Sequence, residues 1–230
     1  MKESIKKNYP NAEKGSRITE TCIERLSNEF HFNLQKTLMA TSVCSDEVIR
    51  SATDFRGHLG IENPFQLGGL AGYPFAGLTG LKAFLSHVPN DGYAMILFGP
   101  HIGVTTQGEI GYMKRKGQTE KSGCCGALQA ITGSLKKMKN ESKADPELDY
   151  QLWKIESDLR KKNMDIEGDQ EPLVSVTNQT YQFIYEKLTR LTDISPGLIG
   201  KKRLALIGGI IINTDHGFDD WFDLQCFKVI

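Results

Sequence analysis

The chain has 230 residues, enough for one large domain or two small ones with a real core. Lys plus Arg and Asp plus Glu number 28 each, so the formal net charge is zero and nothing pulls the protein toward nucleic acid or an anionic membrane. With 39% hydrophobic and 24% charged residues the composition is that of an ordinary globular protein, and the longest apolar run, "LALIGGIIIN" at 204–213, is too short for a membrane span.

The opening "MKESIKKNYPNAEKGS" (1–16) is polar and lysine-rich and has no apolar stretch behind it, so it reads as a flexible arm and not as a secretory signal. Five cysteines, an odd number at irregular spacing, argue against a disulfide framework and for a reducing, cytoplasmic setting. "SRITETCIERLSNEFHFNLQ" (16–35) is amphipathic at helical spacing, with Ile18, Cys22, Ile23, Leu26 and Phe30 on one side. "TLMATSVC" (37–44) is a short buried strand that stops at a cysteine. "SDEVIRSATDFRGHL" (45–59) then reads as a helix, with Ser45 and Asp46 where capping residues go. "NPFQLGGLAGYPFAG" (63–77) predicts a strand ending in a glycine-rich loop, followed by a short helix, "LTGLKAFLSHV" (78–88). "YAMILFGPHIGV" (93–104) is a strongly apolar strand broken at Gly99-Pro100, and "GEIGYMKRKGQ" (108–118) is a small hairpin. Two polar helices follow, at about 125–140 and 146–163, and after the loop "DIEGDQEP" a third runs to about 191. A core strand (203–213) and an edge-like strand (221–230) close the chain. Short apolar strands alternating with helices predict an α/β fold, a single domain with a mostly parallel central sheet flanked by helices. The loop at 164–172 separates no second core.

Open α/β sheets gather ligands at the carboxyl ends of their strands. Three notable sites fall there: Cys44 ends a strand, His101 ends the 93–101 stretch, and Cys124 and Cys125 in "SGCCGA" open a helix. A helix N-terminus favours a thiolate. Adjacent cysteines close a disulfide only with strain, so the pair is inert packing, a redox site or a place where a thiolate is wanted. Two thiolates and an imidazole form a ligand set that suits Zn²⁺, and three protein ligands with a fourth position open is the catalytic kind of site. Asp46, two residues past Cys44, can reach the same point. Each piece taken alone has a plainer reading: Cys44 as a small core hydrophobe, His101 as a satisfied loop histidine, "SGCCGA" as an ordinary helix start. No C-x-x-C or H-x-x-x-H spacing distinguishes these readings.

"CSDEV" (44–48), "PFQLGGLAGYPFAGLTGLKAFLSHVPNDG" (64–92), "FGPHIGV" (98–104) and "CCGA" (124–127) resemble the low-CO₂-inducible protein B family, a divergent branch of β-type carbonic anhydrases also described with the theta class. The resemblance is strong over residues 30–140, and the glycine-rich block is its most specific part. It implies a β-carbonic-anhydrase-like fold and a zinc held by Cys, His and Cys beside an Asp fixed by an arginine. Carried onto this chain, the zinc ligands are Cys44, His101 and Cys125, with Cys124 the second choice. Cys125 is favoured because "C-G-A" resembles the C-G-G/A that follows the last ligand in ordinary β-class enzymes, leaving Cys124 to pack. The chain departs from that class twice. Val48 stands where Cys-x-Asp-x-Arg has its arginine, so Arg115 in the hairpin, or Arg50 one helical turn past Asp46, must supply the partner. The short His-x-x-Cys spacing is also replaced by 23 residues that hold the hairpin.

The activity the resemblance implies is reversible hydration of CO₂ to bicarbonate by a zinc-bound hydroxide, whose hydrogen bond Asp46 accepts. Alternatively Asp46 closes the site by taking the fourth zinc position. Phe65, Leu67, Gly68 and Gly69 are expected to line the small dry substrate pocket, and His58 and His87 are candidate proton shuttles, each also readable as a surface histidine. The family further implies a homodimer paired through its sheets and N-terminal helices. A catalytically silent, zinc-holding member that senses bicarbonate or binds a partner is the main competing reading. A thiol redox protein using Cys124 and Cys125 lacks C-x-x-C, and a nucleotide site at "GGLAG" lacks the G-x-G-x-x-G spacing.

Overall fold

The computed structural model describes residues 1–48, 53–137, 144–162, 166, 168–194, 196–200 and 202–230. In chain order the elements are α1 (Lys2–Asn8), β1 (Glu13–Lys14), α2 (Gly15–Asn28), β2 (Thr37–Ser42), α3 (Phe55–Leu59), β3 (Phe65–Gln66), α4 (Gly77–His87), β4 (Tyr93–Phe98), β5 (His101–Val104), β6 (Tyr112–Met113), β7 (Ser122–Gly123), α5 (Gly126–Lys137), α6 (Tyr150–Lys161), α7 (Pro172–Asp193), α8 (Pro196–Ile199), β8 (Arg203–Thr214) and β9 (Trp221–Val229).

The main sheet has seven strands in the order β1-β9-β8-β4-β2-β3, with β5 also paired to β8. Its centre is parallel: β2 pairs β4, β4 pairs β8 and β5 pairs β8, while β9 and β1 close one side antiparallel. β8 lies deepest, and every residue from Leu204 to Thr214 is buried. That is why "LALIGGIII" is apolar without alternation: helices cover a parallel sheet on both faces. The domain is therefore a single α/β unit with a mostly parallel sheet flanked by helices.

β4 and β5 are two pieces of one path along β8. Phe98 pairs with Gly208, and the path resumes with His101 opposite Ile211. Between them Gly99 sits at φ 145, and a Cβ there would lie 1.8 Å from the carbonyl oxygen of Gly209. Only glycine allows this approach. The break lifts His101 past the carboxyl end of β4, beside the end of β2, where Cys44 emerges.

The structure corrects several sequence expectations. Residues 1–16 form no loose arm: Ile5, Tyr9 and Ala12 are buried, and β1 pairs with β9. Three apolar residues are too few to signal a helix by periodicity, and it is docking that stabilises α1. The helix expected from residue 45 is absent among the described residues up to 54. The chain turns at 45–48, and α3 begins only after Asp54, whose carboxylate accepts from the Gly57 amide. α2 stops at Asn28, short of the predicted end at 35, and the strand predicted to reach Cys44 ends at Ser42. The hairpin is wider than 108–118, since Tyr112 pairs with Gly123. The apolar stripe of α2 lies in the protomer's own core, with Cys22 and Leu26 fully buried, and so is not an exposed dimerisation face. Among the described residues no helix is long and apolar enough to cross a membrane.

Candidate metal centre

Three elements converge at the carboxyl side of the sheet. The turn after β2 brings Cys44, the first residue of β5 is His101, and the residue before α5 is Cys125. All three are buried, and one ligand atom from each lies within 4.8 Å of the others. The sulfurs of Cys44 and Cys125 are 3.9 Å apart. Tetrahedral Zn²⁺ with bonds of about 2.3 Å to sulfur needs a sulfur–sulfur edge of roughly 3.8 Å. The separation therefore fits the ion, and it is far too long for a disulfide.

His101 is fully buried, and its Nε2 has no hydrogen-bond partner. Its Nδ1 lies 2.9 Å from Asn213 Oδ1. An orphaned ring nitrogen in a dry interior is costly unless something binds its lone pair. This atom, beside two sulfurs, is the observation that tests the zinc reading, and the residues present fit the ion.

Cys124 sits on the other edge of the ring. Its sulfur is 3.4 Å from Nδ1 and 3.9 Å from Asn213 Oδ1. Asp46, His101 and Cys124 also form a compact triple. That triple is the poorer cation site, because Asp46 approaches Nε2 while Cys124 faces Nδ1, and an imidazole donates along one lone pair. The Cys124–Cys125 peptide is cis.

The buried groups compete for protons. The hydrogen bond with Cys125 is the largest influence on Cys44 and, with help from His101, brings its thiol down to about 4 against the effect of burial. Cys125 is pushed well up, first by the same hydrogen bond and then by burial. Burial alone would lower the His101 pKa, but the sulfurs of Cys124, Cys125 and Cys44 reverse the sign and raise it. A divalent cation resolves this competition, since thiolates and a neutral ring are the ligand forms.

Asp46 stands beside the cluster, its Oδ2 4.0 Å from His101 Nε2. Arg115 Nη2 donates to that oxygen at 2.9 Å, and the Val48 amide donates to Oδ1 at 3.3 Å. Burial pushes the Asp46 carboxyl up, but Glu47, His101, the Val48 amide and Arg115 together hold it below its usual value. Arg115 is itself clamped: Nε donates to Glu47 Oε1 at 3.0 Å and Nη1 to the Gly123 carbonyl at 3.2 Å. Arg50, the other candidate partner, lies outside the described residues.

A cavity of about 520 Å³ opens onto Cys44 and Asp46. Its buried lining combines Met39, Val43 and Leu97 with Thr41 and Thr53, while Arg56, Glu62 and Gln66 stand at its more exposed edge. Of the four expected pocket residues only Gly68 lines it. Strand alternation is the reason: Gln66 and Gly68 face the cavity, so Phe65 and Leu67 point the other way. Phe65 packs on Phe84 and His87, and Leu67 is in the core. Gly69 faces Phe75 and Gln151. At Gly68 a Cβ would come 2.7 Å from the Val43 carbonyl oxygen, so this glycine lets β3 close onto the Cys44 turn. His58 and His87 are exposed, and neither lines the cavity.

Sequence reasoning passed over three residues at this site. Asn213 ends the core strand, and a polar residue closing "LALIGGIIIN" was the signal that could have found it. Asp215 follows it: Oδ1 accepts from the Lys114 amide at 2.7 Å and Oδ2 from the Thr106 amide at 2.8 Å, which anchors the hairpin carrying Arg115. Arg56, at the cavity edge, has no spacing that would mark it.

Residues 15–230 match the sequence profile of the limiting CO2-inducible proteins B/C, beta carbonic anhydrases. The crystal structure of PtLCIB4, described as a homolog of the limiting CO2-inducible protein LCIB, is 32% identical, with a TM-score of 0.85 over 100% of this chain and 95% of that one. The crystal structure of LCIB itself aligns at 22% identity and a TM-score of 0.69, again over 100% of this chain and 95% of the other. No curated protein matches. With the matched profile spanning nearly the whole chain, this protein belongs to the limiting CO2-inducible protein B/C family of beta carbonic anhydrases.

Proposed function

We propose that this protein is a zinc-dependent carbonic anhydrase, catalysing reversible hydration of CO₂ to bicarbonate. The observation that carries the reading is the fully buried, unpartnered Nε2 of His101 beside two sulfurs 3.9 Å apart. Cys44, His101 and Cys125 would hold the ion. Bound there, zinc supplies Lewis acidity and brings the pKa of water from about 15.7 to near 7.

The other roles belong to the chain. Asp46 offers an ionised carboxylate at the edge of the cluster and accepts a hydrogen bond from the nucleophile, orienting a lone pair toward the cavity. Arg115 keeps that carboxylate charged and in place by donating to Oδ2. While Arg115 occupies this oxygen, Asp46 is held as an acceptor and is not free to close the metal position. The buried Met39, Val43 and Leu97 in the cavity lining suit apolar CO₂, and Arg56 at the cavity edge suits the departing anion. The family reading also carries a homodimer, formed on a face other than the α2 stripe.

The test is metal content measured beside the CO₂-hydration rate, on wild type and Cys125→Ser. Stoichiometric zinc with hydration in the wild type, both lost in the variant, supports the reading. Zinc without hydration would instead mean a silent family member that binds bicarbonate or a partner, and no zinc would remove both readings.

A further inference from the structure

We infer that Asn213 is the positioning residue that sets the orientation of the His101 ring and ties it to the turn carrying Asp46; the inference rests on the zinc reading above. Asn213 is fully buried at the carboxyl end of β8. The parallel register places Ile211 opposite His101 and Asn213 opposite Gly103, so the amide lies two residues along, on the face that carries the ring.

Its hydrogen bonds fix which way the amide points. Nδ2 is 3.2 Å from the Val48 carbonyl and 3.1 Å from Asp220 Oδ2, both acceptors. Nδ2 must therefore be the donor end, which leaves Oδ1 as the acceptor facing His101 Nδ1 at 2.9 Å. An acceptor at that position requires a proton on Nδ1. A neutral ring then presents its bare lone pair at Nε2, toward Cys44 and Cys125. The same amide holds the Val48 carbonyl, two residues past Asp46, so the imidazole and the acceptor carboxylate are referred to one side chain. Leucine would take the amide acceptor away from the buried Nδ1–H, leaving it only the Cys124 sulfur at 3.4 Å, and would untie the ring from the turn carrying Val48. Aspartate would keep the ring contact but set a carboxylate against Asp220. Asparagine alone offers both hands.

Removing a partner of this kind from a metal-bound histidine weakens metal binding by about 10–100-fold. The experiment measures zinc affinity of the full chain by competition with a chromophoric chelator, for wild type, Asn213→Ala and Asn213→Asp. Nitrogen-edited NMR on the same proteins follows the His101 ring N–H. Asn213→Ala is expected to bind zinc about 10–100-fold more weakly and to lose the slowly exchanging, downfield Nδ1–H signal. Asn213→Asp, which keeps an acceptor, retains the signal and binds zinc more tightly than the alanine variant. Wild-type affinity in Asn213→Ala, or equal weakening in both variants with the ring signal intact, overturns the inference. If Asn213→Ala does not fold, the ring signal in Asn213→Asp decides: retained, it supports; lost, it overturns. Should the wild type take up no zinc, the proposed function falls, while the ring signal still decides the role of Asn213.

Discussion

Cys124 and Cys125 are neighbours in the chain that address opposite edges of one imidazole, and their chemistry should separate accordingly. Cys125→Ser is expected to lose zinc on dialysis, and Cys124→Ser to retain it; elemental analysis of both variants checks this. Arg115→Leu should keep its metal but lose about 10²-fold in hydration rate, because Asp46 is then no longer held in place. Stopped-flow hydration beside metal content reads that split. Asp215 makes a pH prediction. Burial alone would raise its pKa, but the amides of Thr106 and Lys114 and the Thr106 hydroxyl bring it below the usual carboxylate value. A depressed folded pKa means stability that is complete above the unfolded value of about 3.9 and is lost as pH falls through the folded one. Asp215→Asn should therefore flatten the acid limb of the stability curve relative to wild type, as thermal melts from pH 6 to pH 2 would record. Cys44, His101 and the Cys124/Cys125 pair were nameable from the chain because each carries metal-ligating chemistry at a strand or helix end, with the choice of Cys125 and the pairing of Asp46 with Arg115 taken from the family resemblance. Asn213 and Asp215 were not, since an amide and a carboxylate at a strand end look the same whether they serve a site or cap a turn.

The β4–β5 break is the most constrained backbone feature near the site. Gly99→Ala must place a Cβ against the Gly209 carbonyl at a positive φ, and no flexible side chain is there to yield. A loss of several kcal/mol, enough to prevent folding in a domain of ordinary stability, is the expected result; expression and denaturant melts test it. β4 was readable because its run is apolar and bounded by Gly92 and Gly99, and β8 because its run is apolar from Leu204 to Ile212. The segment after Cys44 was misread for an instructive reason. "SDEVIRS" has helical composition, but its first residues turn so that Asp46 and Glu47 can both meet Arg115, 69 and 68 residues away in sequence respectively. Local propensity yielded to a long-range ion pair. The α2 stripe misled in the opposite sense: its amphipathicity is real, but its apolar face belongs to the protomer's own core.

A single ion at this place would tie the end of β2, the start of β5 and the start of α5, three segments far apart in sequence. Zinc at a hundred times its dissociation constant should stabilise the fold by about 2.7 kcal/mol. For a chain of this size that raises the melting temperature by roughly 5–10 °C, and a strong chelator should reverse it. Calorimetry with and without chelator tests this. Analytical ultracentrifugation should give twice the chain mass if the homodimer forms.

Residue types and strand ends, read in order, were enough to name an α/β sheet and to single out Cys44, His101 and the cysteine pair as candidate metal ligands, because those properties are local; the acceptor carboxylate came from the family resemblance. Which sulfur faces Nε2, which arginine reaches Asp46 and what lines the cavity depend on register and on side-chain direction. These were decided only when β5 and the hairpin docked against β8, since a one-residue change of face in a strand is invisible in composition but reverses every contact.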